Sequence, residues 1–525
     1  KPATKPATES TTEPATRTAT EAAPTRAAED RPGLGPQDSL ARVWQVVLGV
    51  HPAPGDSFFD IGGDSLLAAE AVTRTLAAHD LDARHGRTLI HSLLRSPTLE
   101  DFAAAVAALT AVKDRWQADG TAVTGAVDFC AEARLGFILP PRRGPEPDWQ
   151  HPRQVLLTGA SGFLGAFLLD RLLHRTGARV HCPVRSRDGA HARQKVMRNL
   201  ARFDLDTTQA ADRIVCFPGD LAEPGLGLEP GRAEELADTL DLVVHSAAQV
   251  NFLYPYEALR RANVDGTRQI VRLAAGRAVP LHFFSTIAVL AGFGTAGVRH
   301  VDEDLPLAHA DQLTMGYAES KWVAEEVLRD AADQGLPVAV YRPYEITGDR
   351  HTGACNTDTA ICSLFKTITE TGLAPDIPLP LDFVPVDFLT EAVVHIATAH
   401  RATRRTYHLT NPRPASLTDM LDRMDAGGHR IRRLPYEEWV GELVRHVARH
   451  PTSPTAPFVS LCVDRCKQAD MSVKEMYFEG TFPTVGRTNV EHDLAATGLR
   501  CPPVDSALLD RYLEYFYATG YIERP

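Results

Sequence analysis

Residues Gln154–Arg175, QVLLTGASGFLGAFLLDRLLHR, limit what this chain can become more than any other stretch. Val155, Leu156 and Leu157 form a short apolar run of the kind a buried parallel strand needs. Gly159, Gly162 and Gly165 follow at three-residue spacing, with Ser161, Phe163 and Leu164 among them. Phe167, Leu168, Leu169, Leu172 and Leu173 then recur with helical period. Strand, glycine turn and helix in this order place a helix N-terminus where a phosphate can sit. The glycines let the backbone approach a pyrophosphate, and the unpaired N–H groups and helix dipole favour its charge. The stretch predicts a dinucleotide site.

The rhythm continues downstream. Arg179–Pro183, Ile214–Phe217, Leu242–His245, Leu281–Phe284 and Val338–Tyr341 read as further strands, separated by helical stretches. This alternation predicts an α/β fold, a doubly wound parallel Rossmann sheet, with ligands at the carboxyl ends of its strands. An NAD enzyme carries an acidic residue just after the second strand. Here Val184-Arg185-Ser186-Arg187 stands at that place, and Asp188 comes only beyond it. A guanidinium accepts a 2′-phosphate, so Arg185, supported by Arg187, predicts NADPH; two solvated surface arginines are the alternative.

Two further stretches carry chemistry. Phe284-Ser285-Thr286 ends the fifth strand, where side chains reach the ligand crevice. Gly316-Tyr317-Ala318-Glu319-Ser320-Lys321-Trp322 opens a helix, and Tyr317 and Lys321, four apart, share one face of it. An ammonium beside a phenol is expected to lower its pKa and make it a proton donor near neutral pH. The lysine can also hold a nicotinamide ribose, while a strand-end hydroxyl fixes the carbonyl that receives hydride.

Composition bounds the partners. A chain of 525 residues exceeds one ordinary core and predicts several domains. A formal charge of −12 argues against a nucleic-acid binder, which needs a basic surface. No apolar run is long enough to span a bilayer and no signal-peptide pattern is present, so no membrane partner is expected and the cytoplasm is the expected location. The 8 cysteines are scattered and read as reduced thiols. Only Cys462 and Cys466 stand close, and no histidine set completes a metal site beside them. The chain begins at Lys1 rather than methionine, as a piece of a longer polypeptide would.

Residues 1–32 are almost all Ala, Thr, Pro and Glu and read as a disordered linker. Residues 33–110 read as a small all-α, four-helix domain. Leu40, Val43, Trp44, Val47 and Leu48 mark the face of its first helix; Phe58, Phe59 and Ile61 look like core anchors. Gly62 and Gly63 form a turn from which Asp64 or Ser65 starts the next helix, and Pro97–Phe102 begins the last. Residues 111–150, proline-rich at their end, join this domain to the α/β part at 151–525. There the Rossmann core takes about 151–345, and a substrate lobe occupies mainly 346–525. Asp382–His400 and Thr406–Leu409 are expected to return to the sheet, and Ser506–Tyr517 to close the chain as a helix. The Arg- and His-rich run His429–His450 reads as a solvated surface, or as a contact for a phosphate or an acidic partner.

FFDIGGDSLLA, at residues 58–68, resembles the signature of carrier domains in nonribosomal peptide synthetases. On the residues alone Ser65 reads first as an N-cap; in that family the serine takes a 4′-phosphopantetheine arm, so the resemblance would make Ser65 the attachment point. From His151 to Pro525 the motifs resemble the extended short-chain dehydrogenase/reductases, in particular the thioester reductase branch that ends peptide synthetases, hybrid polyketide lines and carboxylic acid reductases. PGDL at Pro218–Leu221 is similar to the family's adenine-side segment, which implies that Asp220 and Leu221 contact cofactor. HSAAQVNF at His245–Phe252 and NVDGT at Asn263–Thr267 match the family's cofactor-side loop and its structural asparagine, which implies that Ala247, Ala248 and Asn263 belong to the cofactor-binding set. YRPYEITGDRHTG at Tyr341–Gly353 and DFVPVDF at Asp382–Phe388 match the nicotinamide- and substrate-side segments. By this resemblance Thr286, Tyr317 and Lys321 are the catalytic three, and Ser285 and Tyr344 adjoin the nicotinamide. Tyr344 departs from the small residue usual there, which narrows the pocket, and Ser161 replaces a commoner threonine.

The resemblance implies NADPH-dependent reduction of a phosphopantetheine-bound acyl or peptidyl thioester, releasing an aldehyde or, after a second hydride, an alcohol. Upstream assembly-line modules and a phosphopantetheinyl transferase are the implied partners. A nucleotide-sugar epimerase or dehydratase would share the sheet and the Tyr/Lys pair without needing a carrier or Arg185. A non-redox, ring-closing release domain would lack the catalytic tyrosine.

Overall fold

A computed structural model of the chain describes residues 36–63, 65–81, 85–118, 127–252, 254–450, 453–455, 458–463, 465–466 and 469–525. The linker expected at 1–32 lies outside them. The first helical unit comprises α1 (Pro36–Leu48), α2 (Ser65–Ala78), α3 (Gly86–Arg95) and α4 (Leu99–Ala118). Leu40, Trp44, Phe58 and Phe102 are completely buried at its centre, and Trp44 meets Phe58 edge-on at 4.9 Å. Phe59 and Ile61 remain partly buried. Both glycines before α2 are required: Gly62 has φ +108°, and a Cβ at Gly63 would lie 2.3 Å from the Phe58 ring. α2 begins at Ser65, whose side chain, like residue 64, lies outside the described atoms. α4 runs on to Ala118, into what the sequence reads as connector.

The connector then lies along the second unit. Glu132 accepts hydrogen bonds from the Tyr256 hydroxyl (2.7 Å) and Arg260 Nε (2.6 Å), and the Leu135 N–H reaches Asp330 at 2.9 Å.

That second unit is built on β1 (Gln154–Thr158), β2 (Arg179–Val184), β3 (Ile214–Pro218), β4 (Leu242–His245), β5 (Leu281–Phe284), β6 (Val338–Pro343) and β7 (Arg405–Leu409). They form one parallel sheet in the order 3-2-1-4-5-6-7. The order reverses beside β1, which opens a crevice at the carboxyl ends of β1 and β4. α5 (Phe163–Arg175), α6 (Gly189–Arg202) and α7 (Gly316–Asp333) are the helices that shape the crevice. Leu168, Leu169 and Leu172 of α5 are fully buried, and each such side chain contributes about 1.5–3 kcal/mol. Deeper still, Arg342 on β6 pairs with Glu325 on α7 at 2.6 Å and also donates to His408 at 3.1 Å. Removing one partner of such a buried pair costs about 3–5 kcal/mol, so this contact fixes α7 against the sheet.

One expected return to the sheet is not made. Thr406–Leu409 enters it as part of β7, whereas Phe383–Pro385 pairs with Glu345–Thr347 outside it. The segment then becomes α8 (Val386–Ala399), packed on α5. Pro385 has no N–H to continue a ladder, and Val386, Leu389, Val393 and Ile396 recur with helical spacing.

The remaining lobe carries α9 (Tyr436–Arg449) and α10 (Ser506–Ala518). Trp439, Leu443, Val444 and Val447 bury one face of α9, and α2 and α3 rest against this helix. Much of the basic charge nearby is answered within the lobe: Arg433 by Asp422 (2.6 Å), Arg445 by Glu442 (2.8 Å), His446 by Glu370 (3.6 Å). No described helix is long and apolar enough to cross a membrane.

Candidate active site

Six strand ends line up along one cleft of about 710 Å³. In spatial order they carry Asp220 and Leu221 (β3), Arg185 (β2), the glycine turn (β1), Ser246–Ala248 (β4), Ser285-Thr286 (β5) and Tyr344–Ile346 (β6). Adjacent strands lie about 4.8 Å apart, so the row spans the length of an extended dinucleotide and a little more.

The glycine turn has the shape of a phosphate cradle. Gly159 adopts φ +87°, and a Cβ at Gly165 would lie 1.9 Å from the Gly159 carbonyl oxygen. Any side chain at 165 would push α5 off the turn. Asn199 on α6 braces the loop from outside, donating to the carbonyls of Ala160 (3.1 Å) and Gly162 (2.8 Å). Gly162 caps α5 with no side chain, which leaves the first N–H groups of the helix facing the cleft. On the opposite wall Ser246 Oγ donates to the Thr158 carbonyl (2.7 Å), and Thr158 Oγ1 accepts from the Ala247 N–H (3.1 Å). Ser161, Phe163, Leu164, Ala247 and Ala248 all line the cleft.

At the far end of the nucleotide half the two arginines separate. Arg185 lines the cleft beside Asp220 and Leu221. Arg187 does not: it is exposed and pairs with Asp188 at 3.3 Å, because α6 begins there and Asp188 caps it. Asn263 also stays out of the cleft. It is buried, accepts from the Gln249 N–H (2.7 Å) and donates to the Gln249 carbonyl (3.0 Å) and to Ser320 Oγ (3.0 Å). Ser320 in turn donates to the Tyr317 carbonyl at 2.8 Å. The asparagine is therefore a brace between the β4 loop and α7, the structural part the resemblance implies, and it does not line the cleft with the other cofactor-side residues.

Thr286, Tyr317, Lys321 and Ser285 meet in the middle of the cleft. Thr286 caps the short turn Ile287–Leu290, accepting from the Ala288 N–H at 3.2 Å, and this fixes its hydroxyl. Tyr317 stands one residue into α7 with its ring 5.7 Å from that of Phe252. Lys321 donates to the Phe284 carbonyl at 2.6 Å and lies 3.9 Å from the centre of the Phe283 ring. The expected drop in the Tyr317 pKa is not found. Burial pushes the phenol up to about 12, since the lysine is turned toward the strand end rather than toward the phenol. Burial likewise drives Lys321 down to about 7, with Glu325 pulling it back up. Tyr317 is thus fully protonated at neutral pH, as a proton donor must be, while Lys321 titrates in the physiological range.

The pieces fit a nicotinamide dinucleotide. The glycine turn is cleared of side chains for a pyrophosphate, and Ser285 Oγ, at the end of β5, is buried with no hydrogen-bond partner among the described residues. Beyond it the cleft is walled by Phe252, Tyr344 and Tyr477, and Tyr344 meets Tyr477 at 6.0 Å and Phe482 at 6.1 Å. Glu345, Asp382 and Lys474 also line this end, and the sequence motifs assign none of them a role. Glu345 and Asp382 sit inside the quoted stretches, where a charge in an otherwise apolar run is the available signal. Lys474 has none. Among the described residues no His/Cys/Asp/Glu group can hold a metal, and Cys130, Cys182, Cys216, Cys355, Cys362 and Cys501 are free thiols; the Cys466 side chain lies outside them.

Comparison with known proteins bears on both units. A family described as "Male sterility protein", an NAD-binding domain, matches residues 157–393. A linear gramicidin synthase of Brevibacillus parabrevis is 34% identical over 494 residues, covering 91% of this chain and 9% of that protein. The crystal structure of the terminal R domain from the myxalamid PKS-NRPS pathway is 36% identical, with a TM-score of 0.65, over 79% of this chain and 100% of that one. A thiolation-reductase di-domain from an archaeal non-ribosomal peptide synthetase shares the fold over 94% of this chain and 99% of its own length, at 21% identity and a TM-score of 0.61. This chain spans 9% to 48% of the length of the first curated relatives it matches.

Proposed function

We infer the reaction from one premise: this chain belongs to the terminal reductase domains of nonribosomal peptide synthetase and hybrid polyketide pathways, which are NAD(P)-dependent oxidoreductases. Residues 151–525 form the reductase, and residues 33–110 form a carrier whose Ser65 bears a 4′-phosphopantetheine arm. An acyl or peptidyl chain held on that arm as a thioester is released reductively as an aldehyde. The observation that carries this reading is the convergence of Thr286, Tyr317 and Lys321 in one cleft with the glycine turn.

When bound, NADPH supplies the hydride. The chain's own groups do the rest. The turn from Gly159 to Gly165 would hold the phosphates and Arg185 the 2′-phosphate. Ser285 and Lys321 would hold the nicotinamide riboside. Thr286 holds the thioester carbonyl oxygen, and Tyr317 donates to the same oxygen, so both stabilise the charge that develops as hydride reaches carbon. Tyr317 then gives its proton to that oxygen, producing a thiohemiacetal. Breaking the C–S bond returns the proton from the hydroxyl to sulfur and leaves an aldehyde and a free arm. A phenol held at about 12 keeps its proton until it is needed, which suits this direction.

Upstream modules load the chain, and a phosphopantetheinyl transferase installs the arm. Neither step asks for a membrane, and the cytoplasm is the setting that fits. The reading is tested by following NADPH absorbance with an octanoyl-pantetheine thioester. Wild type should oxidise NADPH and form octanal, and Tyr317→Phe should lower turnover by about two to four orders of magnitude. Near-normal turnover in Tyr317→Phe would reject the mechanism.

A further inference from the structure

Two opposite charges face the acyl end of the cleft without meeting. Glu345 stands at the end of β6 and starts the short strand paired with Phe383–Pro385, so its backbone is fixed. Lys474 stands on the helix Val473–Phe478, which a capping box from Ser472 and Glu475 pins at its start. Both side chains line the cleft. They attract each other, yet no ion pair within 4.0 Å joins them, and no hydrogen bond among the described residues uses the Glu345 carboxylate or the Lys474 ammonium. The neighbouring charges are already engaged. Asp382 accepts from the Asn411 N–H at 2.6 Å, and Lys321 donates to Phe284.

An acceptor-only carboxylate and a donor-only ammonium, separated and walled by Tyr344 and Tyr477, ask for a ligand group that donates on one side and accepts on the other. A secondary amide is such a group: its N–H suits Glu345 and its C=O suits Lys474. The aromatic walls make the site poor in water, where an unanswered carboxylate is expensive; burial accordingly pushes the Glu345 carboxyl up, and Lys474 pulls it back down. A purely hydrocarbon chain would leave both groups unanswered.

We propose that Glu345 and Lys474 clamp a secondary amide of the bound thioester, and that this clamp makes the domain favour thioesters that carry the amide over matched ones that lack it. The proposal rests on the thioester reductase reading above. Two sources supply an amide: the acyl chain, and the pantetheine arm itself.

Four probes separate them: N-acetylglycyl and pentanoyl thioesters, each made with pantetheine and with butanethiol. The readout is the ratio of kcat/KM between members of a pair, for wild type, Glu345→Leu and Lys474→Met. One hydrogen bond to a charged group corresponds to at least about a tenfold ratio. A wild-type preference of that size for N-acetylglycyl over pentanoyl, erased in both variants, supports the clamp with the chain amide as its ligand. A preference for pantetheine over butanethiol, erased in both variants, supports it with the arm amide. Ratios that are the same in wild type and both variants overturn it, whatever their size. If wild type reduces none of the four, the thioester reductase reading itself fails, and the clamp falls with it. Because each ratio compares two substrates on one protein, a general loss of folded protein does not mimic the expected result.

Discussion

Lys321 donates a hydrogen bond to the Phe284 carbonyl oxygen at 2.6 Å, tying the helix that carries Tyr317 to the strand that leads into Thr286. One side chain therefore sets the spacing between Thr286 and Tyr317. The same contact keeps the ammonium buried, and burial holds it at about 7.

A pH dependence follows. Lys321 loses its charge as pH rises through about 7, and the charged form is the one that attracts an anionic dinucleotide. NADPH affinity, read by cofactor fluorescence, should weaken across that value in wild type. In Lys321→Met it should be weak and flat. Stability moves the other way. The native state disfavours the charged lysine, so the penalty is full below about 7 and fades as pH rises toward the unfolded value of 10.5. Any thermal stability that Lys321→Met gains over wild type should be largest at the acidic end and shrink above neutrality.

Cofactor choice separates the two arginines. Arg185 lines the cleft, whereas Arg187 is paired with Asp188 outside it. A charge-assisted hydrogen bond to the 2′-phosphate is worth roughly 1.5–3 kcal/mol. Arg185→Ala should then raise the KM for NADPH by about tenfold or more and leave that for NADH nearly where it was. Arg187→Ala should resemble wild type. Steady-state titrations with both cofactors decide the matter; equal use of NADPH and NADH by wild type would remove the NADPH assignment.

The Gly62-Gly63 turn hands the chain to α2 at Ser65. Incubation with coenzyme A and a phosphopantetheinyl transferase should add one arm, seen as a single mass increment on intact protein. Ser65→Ala should fold normally and take none. Modification of the mutant would show that the arm sits elsewhere.

Local constraints are the readable ones. The glycine turn can be recognised because strand, turn and helix are contiguous, and the 1.9 Å approach at Gly165 shows why the spacing cannot change. Five sheet strands after β1 are visible as apolar runs, and β7 as part of the returning lobe. Orientation is not readable. Helical spacing places Tyr317 and Lys321 on one face but does not say that the ammonium turns to Phe284. Nor does it say that Asn263 braces Gln249 and Ser320. Arg187 follows Arg185 by two residues, and only the start of α6 at Gly189 explains why one faces the cleft and the other leaves it. Glu345 and Lys474 come from distant segments, and nothing local to either announces the other.

The central claim is that hydride reaches the carbon of a carrier-bound thioester and that release follows from this transfer. It is tested most directly by loading the carrier at Ser65 with an acyl-pantetheine arm, adding NADPH deuterated at its transferable position, and weighing the released product by mass spectrometry. The account predicts an aldehyde carrying one deuterium per NADPH consumed, and almost none of it from Tyr317→Phe. Release of an unlabelled acid or ring-closed product, with no NADPH consumed, would contradict it.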